Sequence, residues 1–324
     1  MKRRQFLVAG AAAATAALSA PLISMAGTAG QTQKAAAYPG FPVSYVAEFR
    51  VTPPQQKKVM TVAQELAIRL KGSPEFLGVT LKQMRGTSTM VKNYPPEYKG
   101  ILANANAQAT AQGRLPFYNI LMVRFAHPTA LQNAKLAEWL QDRLVPHLDF
   151  TPPGSAEPAE LLPLAGVYAS LLAGDRKKVF DSGPAIASFL AQQEDTPERR
   201  LVTVVNHVMV PDDVHGLVEA KVGPLLKVAQ NTFEPKSDAN GLGQPGSKEN
   251  LNYRKAFSTE ILANTNRYGS LRSYLMHGVW DSVWDHENSH LDPRFQQAFM
   301  QVAPYVVSGP SEPFYHTLLL MNRA

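Results

Sequence analysis

The sequence predicts an α+β protein: two ferredoxin-like repeats that close on each other as an intrachain dimeric α+β barrel. Three observations predict it. The order strand-helix-strand-strand-helix-strand can be read twice along the chain, which is the split βαβ arrangement. Its strands alternate in the manner of a sheet with one face buried, and its helices carry one apolar stripe. Two such sheets expose apolar faces that are buried by packing together. On this reading the 324 residues divide into a leader (1–30), a first repeat (38–172), a linker (173–199) and a second repeat (200–324).

In the first repeat, Ser44–Val51 alternates as a strand and Pro53-Pro54 ends it. A helix over Gln55–Lys71 follows, with Val59, Val62, Leu66 and Leu70 on one face, stopped by Gly72 and Pro74. Phe76–Met84 is a strand, an Asn/Ala-rich excursion runs to about Arg114, and Phe117–Phe125 is the third strand. Thr129–Leu144 reads as one helix, and a Pro-rich link leads to a strand at Gly166–Leu171. The linker carries a short helix at Pro184–Gln193.

The second repeat opens with the strand Leu201–Val210 and the helix Asp212–Gln230, with an aspartate pair at its N-cap. The stretch Asn231–Asn252 is rich in Gly, Asn, Ser and Pro and reads as a loop. Strands are expected at Ala256–Leu262 and Leu271–Trp280. Helices are expected at Ser282–His290 and Arg294–Val302, and Phe314–Met321 closes the repeat.

The N-terminus pairs Arg3-Arg4 with Phe6-Leu7, an apolar run to Ile23 and small residues around Ala26–Gly30. This is the pattern of a twin-arginine signal, implying a passing encounter with that translocase and a periplasmic or secreted product. Removing residues 1–30 takes away Lys2, Arg3 and Arg4 and no acid, lowering the net charge from +6 to +3. Without a basic block, that charge makes no case for nucleic acid. There is no cysteine, so disulfides, thiolate ligands and cysteine nucleophiles are all excluded. Asn240-Gly241-Leu242-Gly243 lacks the ending of a phosphate-binding loop, and no G-x-S-x-G elbow occurs. The pattern leaves self-association open.

The chemistry-bearing residues gather near the C-terminus. His286 and His290 are four apart, so on a helix they share a face and can grip one ion. Glu312, between Pro310 and Pro313, offers a carboxylate from a stiff backbone. Two histidines and one carboxylate suit non-haem Fe(II) with open positions, or catalytic zinc. His277 and His316 bring to four of eight the histidines within this region, and both are candidate proton donors. Trp280, Trp284 and Phe314 are candidates for an apolar wall. Glu287 and Asp285 are candidates for orienting the imidazoles. His286-Glu287-Asn288-Ser289-His290 also matches H-E-x-x-H, in which Glu287 would be the general base of a zinc-dependent hydrolase.

From Asn266 to about Leu320 the chain resembles the sulfur oxygenase reductase family of mononuclear non-haem iron enzymes. The resemblance rests on Asn266-Arg267-Tyr268-Gly269, Trp280, Asp285-His286-Glu287, His290, Gly309-Pro310, Glu312-Pro313 and Tyr315. It implies an α+β barrel with iron bound by His286, His290 and Glu312, acting with O2 on an inorganic sulfur or related small substrate. The chain departs from that family in lacking cysteine, in carrying the motif in its second half and in having an export signal. A metal-free α+β barrel used for binding or stress response is the reading from another class.

Overall fold

A computed structural model describes residues 38–87, 117–148, 164–231, 253–290 and 292–323. The leader, the Asn/Ala-rich excursion and the Gly-rich loop lie outside the described residues. The first half runs β1 (Val43–Val51), α1 (Pro53–Leu70), β2 (Phe76–Thr87), β3 (Phe117–Phe125), α2 (Pro128–Asn133), α3 (Leu136–Arg143) and β4 (Leu164–Asp175). A two-residue strand β5 (Val179–Phe180) and α4 (Gly183–Leu190) connect it to the second half. That half runs β6 (Val202–Pro211), α5 (His215–Asn231), β7 (Ser258–Tyr268), β8 (Leu271–Trp280), α6 (Val283–Ser289), α7 (Pro293–Val302), β9 (Ser308–Ser311) and β10 (Pro313–Asn322).

Every strand pairing is antiparallel. The first half contributes β4-β1-β3-β2 in spatial order, and the second contributes β10-β6-β8-β7. The two runs join at both ends, β2 to β10 and β7 to β4, so eight strands form a closed ring. β5 extends β4, and β9 pairs with β6. The chain is thus an α+β protein with one large antiparallel sheet.

Alternation along the strands divides the core in two. Ala47, Phe49 and Leu121 face outward and pack with Leu66 of α1 and Leu140 of α3. Val46, Ile120, Met122, Tyr168, Val205, Leu262, Leu275 and Tyr315, with Met84, meet inside the ring, every ring strand contributing. An eight-stranded barrel is just wide enough to be filled by such side chains. Buried charges are paired there: Lys82 with Asp195, which also accepts from Thr317 at 2.8 Å, and Arg124 with Glu260 at 2.7 Å. With the lumen packed, the space for a ligand lies outside the ring, under the helices of the second half.

Two expectations are corrected. The helix expected over Thr129–Leu144 is two helices, because Lys135 adopts a left-handed conformation (φ 46°) and breaks it. The Asp212-Asp213 pair caps no helix through a side chain: a 3-10 turn (Asp212–Val214) precedes α5. Asp212 instead accepts from the Arg272 guanidinium at 2.8 Å, an ion pair between residues distant in sequence that outcompetes a local cap.

Candidate metal centre and its cavity

The centre is built on a short helix held at both ends. The Ser282 hydroxyl accepts from the Asp285 N–H (3.2 Å) and donates to its carboxylate (2.6 Å), starting α6. The other oxygen of Asp285 accepts from the Arg254 N–H at 2.8 Å, tying the helix to the segment before β7. Ser289 donates back to the His286 carbonyl at 2.7 Å where the helix ends. Asp292, fully buried, then caps α7 by accepting from the Arg294 N–H (2.9 Å) and takes a further bond from the Tyr253 hydroxyl (3.0 Å). His290 falls between these anchors, with its carbonyl accepting from Gln296 at 3.0 Å.

Glu312 arrives from the turn between β9 and β10, and one of its oxygens accepts from the Asn206 carboxamide on β6. Its other oxygen lies 3.9 Å from His286 Nε2. His286, His290 and Glu312 each present a ligand atom within 4.8 Å of the others. Ligands in neighbouring positions on one ion at about 2.1 Å stand roughly 3 Å apart, so a modest inward closure brings this set onto a metal. The Nδ1 atoms of both imidazoles are buried without a hydrogen-bond partner, as metal-free ligand atoms or their distal nitrogens would be. Burial, and next the adjacent His286, push the His290 pKa down to about 3, keeping it neutral and fit for coordination.

The rings around the triad are aromatic. Trp280 and Phe314 present edges to His286 at 5.4 and 5.6 Å, and Phe295 stacks on His290 at 5.0 Å. Gly278 matters to this wall: a Cβ there would meet the Trp280 indole Nε1 at 2.8 Å. Beyond the triad opens a cavity of about 390 Å³ between the outer face of β6-β8-β7 and helices α5 and α7.

The other residues singled out in the sequence fall as follows. Glu287 is buried with its carboxylate 3.8 Å from His286 Nδ1, on the side of the ring away from Glu312. Asp285 is occupied by Ser282 and Arg254. His277 borders the cavity, but it follows Leu275 on the lumen-facing register of β8. Burial, then Lys82 and Arg124, hold its pKa well below 6.5. His316 lies on β10 and is not among the cavity-lining residues; burial and then Arg85 lower its pKa. Sequence reasoning missed Asn206 and Phe295. The signal for Asn206 was there: a carboxamide interrupting the outward apolar positions Val204 and Val208 of β6.

Residues 42–130 match the ABM-like domain family, of the dimeric α+β barrel superfamily. Over that stretch the chain is similar to an ABM-like domain. Residues 171–318 match a second family, the CT0912-like C-terminal domain, which spans the triad's helix and Glu312. Curated proteins yield no match. Among solved structures, a Fusobacterium nucleatum protein described as a "Putative monooxygenase" superposes with a TM-score of 0.51 at 10% identity, covering 89% of this chain and 97% of its own. A Lactobacillus acidophilus protein described in the same words gives 0.48 at 8% identity (88% and 97% covered). An "anthrone oxidase-like protein" gives 0.46 at 10% identity (87% and 94% covered). At these identities the likeness is one of fold.

Proposed function

We propose that this protein is an exported oxidoreductase whose mononuclear non-haem iron is held by His286, His290 and Glu312 and which acts with O2 on a small substrate. The observation that carries the reading is the convergence of two imidazoles, one buried and one half-buried, and a buried carboxylate within 4.8 Å at the end of a cavity. The motif resemblance of residues 266–320 to sulfur oxygenase reductase adds support, as does the oxygenase description of the Fusobacterium protein with the shared fold. Read the same way, the two βαββαβ halves are ferredoxin-like repeats fused into one barrel, a reading supported by their matching strand orders.

An iron(II) ion bound there would supply open coordination positions for dioxygen and substrate. The chain's own residues do the rest. Asn206 fixes the Glu312 carboxylate, and Glu287 places a carboxylate 3.8 Å from the distal nitrogen of His286, close enough to favour a proton there without a direct hydrogen bond. Trp280, Phe314 and Phe295 exclude water from the ligand end. Of the two further histidines, His277 borders the cavity and, held neutral, can there accept a proton but not supply one as an acid.

In the zinc-hydrolase alternative Glu287 would be the general base. A base must face the open side of the metal, whereas Glu287 approaches the rear nitrogen of a ligand. Elemental analysis of anaerobically purified protein, beside His286→Ala and Glu312→Ala, tests the proposal. About one iron per chain, lost in both folded variants, is expected; zinc supports the hydrolase, and no metal leaves a binding protein.

A further inference from the structure

Substrate chemistry is legible in the cavity wall. Among the described residues that line it there is no lysine or arginine. Its one carboxylate outside the triad, Glu260, is already bonded to Arg124 at 2.7 Å and Ser170 at 2.6 Å. Away from the triad and any ion held there, an anion entering this space would be buried without a counterion, at a cost of several kcal/mol or more. The remaining wall is largely carbon and sulfur: Leu225, Leu226 and Ala229 from α5, Ile261 and Met276 from the sheet, Phe299 from α7. Its volume, about 390 Å³, lies within the range of small-molecule sites.

Beyond the triad and His277, buried polar atoms of Asn206 and Thr259 interrupt that apolar surface. Asn206 gives its NH2 to the Glu312 carboxylate, which can only accept, so its Oδ1 is fixed as the other end of the amide. That Oδ1 is buried without a hydrogen-bond partner. Thr259, on β7 across from Gly278, lines the same cavity, and its Oγ1 is also buried and unsatisfied. Each such atom costs about 1–3 kcal/mol unless something satisfies it. Asn206 Oδ1 requires a donor and sits beside a triad ligand.

We propose that the cavity binds a neutral, largely apolar organic molecule carrying a hydroxyl group, which donates to Asn206 Oδ1 at the triad end while its apolar body lies between α5 and α7. The inference rests on the triad as the reacting end, and it replaces the inorganic sulfur substrate that the motif resemblance implies. Charged sulfur species would find no counterion along the wall beyond the triad, and elemental sulfur has no donor for Asn206.

The test uses metal-free protein, so that it stands apart from the question of metal content. Binding of 2-naphthol, naphthalene, naphthalene-2-sulfonate and colloidal elemental sulfur is measured by calorimetry and by the fluorescence of Trp280 and Trp284. The expected result is one-to-one binding of 2-naphthol, with naphthalene about tenfold weaker for want of the hydroxyl. The sulfonate is expected to be at least about a hundredfold weaker. Asn206→Leu should erase the preference for 2-naphthol over naphthalene. Ala229→Phe, which fills the cavity, should abolish binding; Met300→Trp at the exposed rim serves if that variant does not fold. Sulfonate or sulfur binding as tightly as 2-naphthol, or 2-naphthol affinity unchanged in the filled variant, would overturn the proposal. Metal assayed separately on the same samples shows whether the triad reading stands or fails by itself.

Discussion

Histidine ionisation sets how this protein responds to acid. His277 is held well below its ordinary pKa of 6.5 by burial and by Lys82 and Arg124. The unfolded chain therefore takes up a proton below about pH 6.5 that the folded chain refuses, and stability falls as pH drops from 7 toward 5. His290 and His316, also lowered, act with the same sign. Each contributes up to about 1.4 kcal/mol per pH unit. Chemical denaturation of metal-free protein at pH 7 and pH 5 should show this loss, and His277→Asn should make it smaller. An unchanged slope would place the acid sensitivity elsewhere. Of the site residues, the triad was legible because spacing four along a helix and a proline-flanked glutamate are local signals. Asn206 showed only as a polar interruption of an apolar strand face; that it serves Glu312, 106 positions away, is a link no local pattern records.

At the scale of elements, most of the fold could be read from alternation and from Gly and Pro punctuation. The strands Phe117–Phe125 and Leu271–Trp280 appear with the expected limits, and α1 buries the expected stripe. The failures have physical causes. Lys135 enters the left-handed region with no glycine to announce it, and Asp212 is drawn off by Arg272. The pairing of β2 with β10 and of β7 with β4 depends on contacts between the halves, which periodicity within one segment does not encode. The element most exposed to a single change is α7. Asp292→Ala removes its cap and the bond it takes from the Tyr253 hydroxyl, costing about 1–3 kcal/mol. A lower thermal midpoint is expected, with weaker metal retention because His290 is two residues away. An unaltered midpoint would show that the cap is dispensable.

Over the whole molecule, the lumen holds the ring together from within. Lys82 and Asp195 are both nearly inaccessible, and Asp195 comes from the linker rather than from a ring strand. Asp195→Ala would leave the lysine buried without its partner, a loss of about 3–5 kcal/mol readable by chemical denaturation. A change below 1 kcal/mol would mean that the lumen hydrates readily. Export belongs to this scale as well. Arg3-Arg4→Lys-Lys is expected to block transport of the folded chain, checked by fractionation; normal accumulation outside the cytoplasm would point to another route. Among the described residues, no helix is long and apolar enough to cross a membrane.

The position of Glu312 has one more consequence. It hangs at the start of β10, the strand that pairs with β6 of its own half and β2 of the other. His286 on α6 and His290 in the turn that ends it are placed as soon as that helix is made, yet the third donor comes into place only when that seam is sewn. The triad therefore distinguishes a finished ring from one still open, and an ion requiring all three donors would be kept only by chains whose assembly is complete.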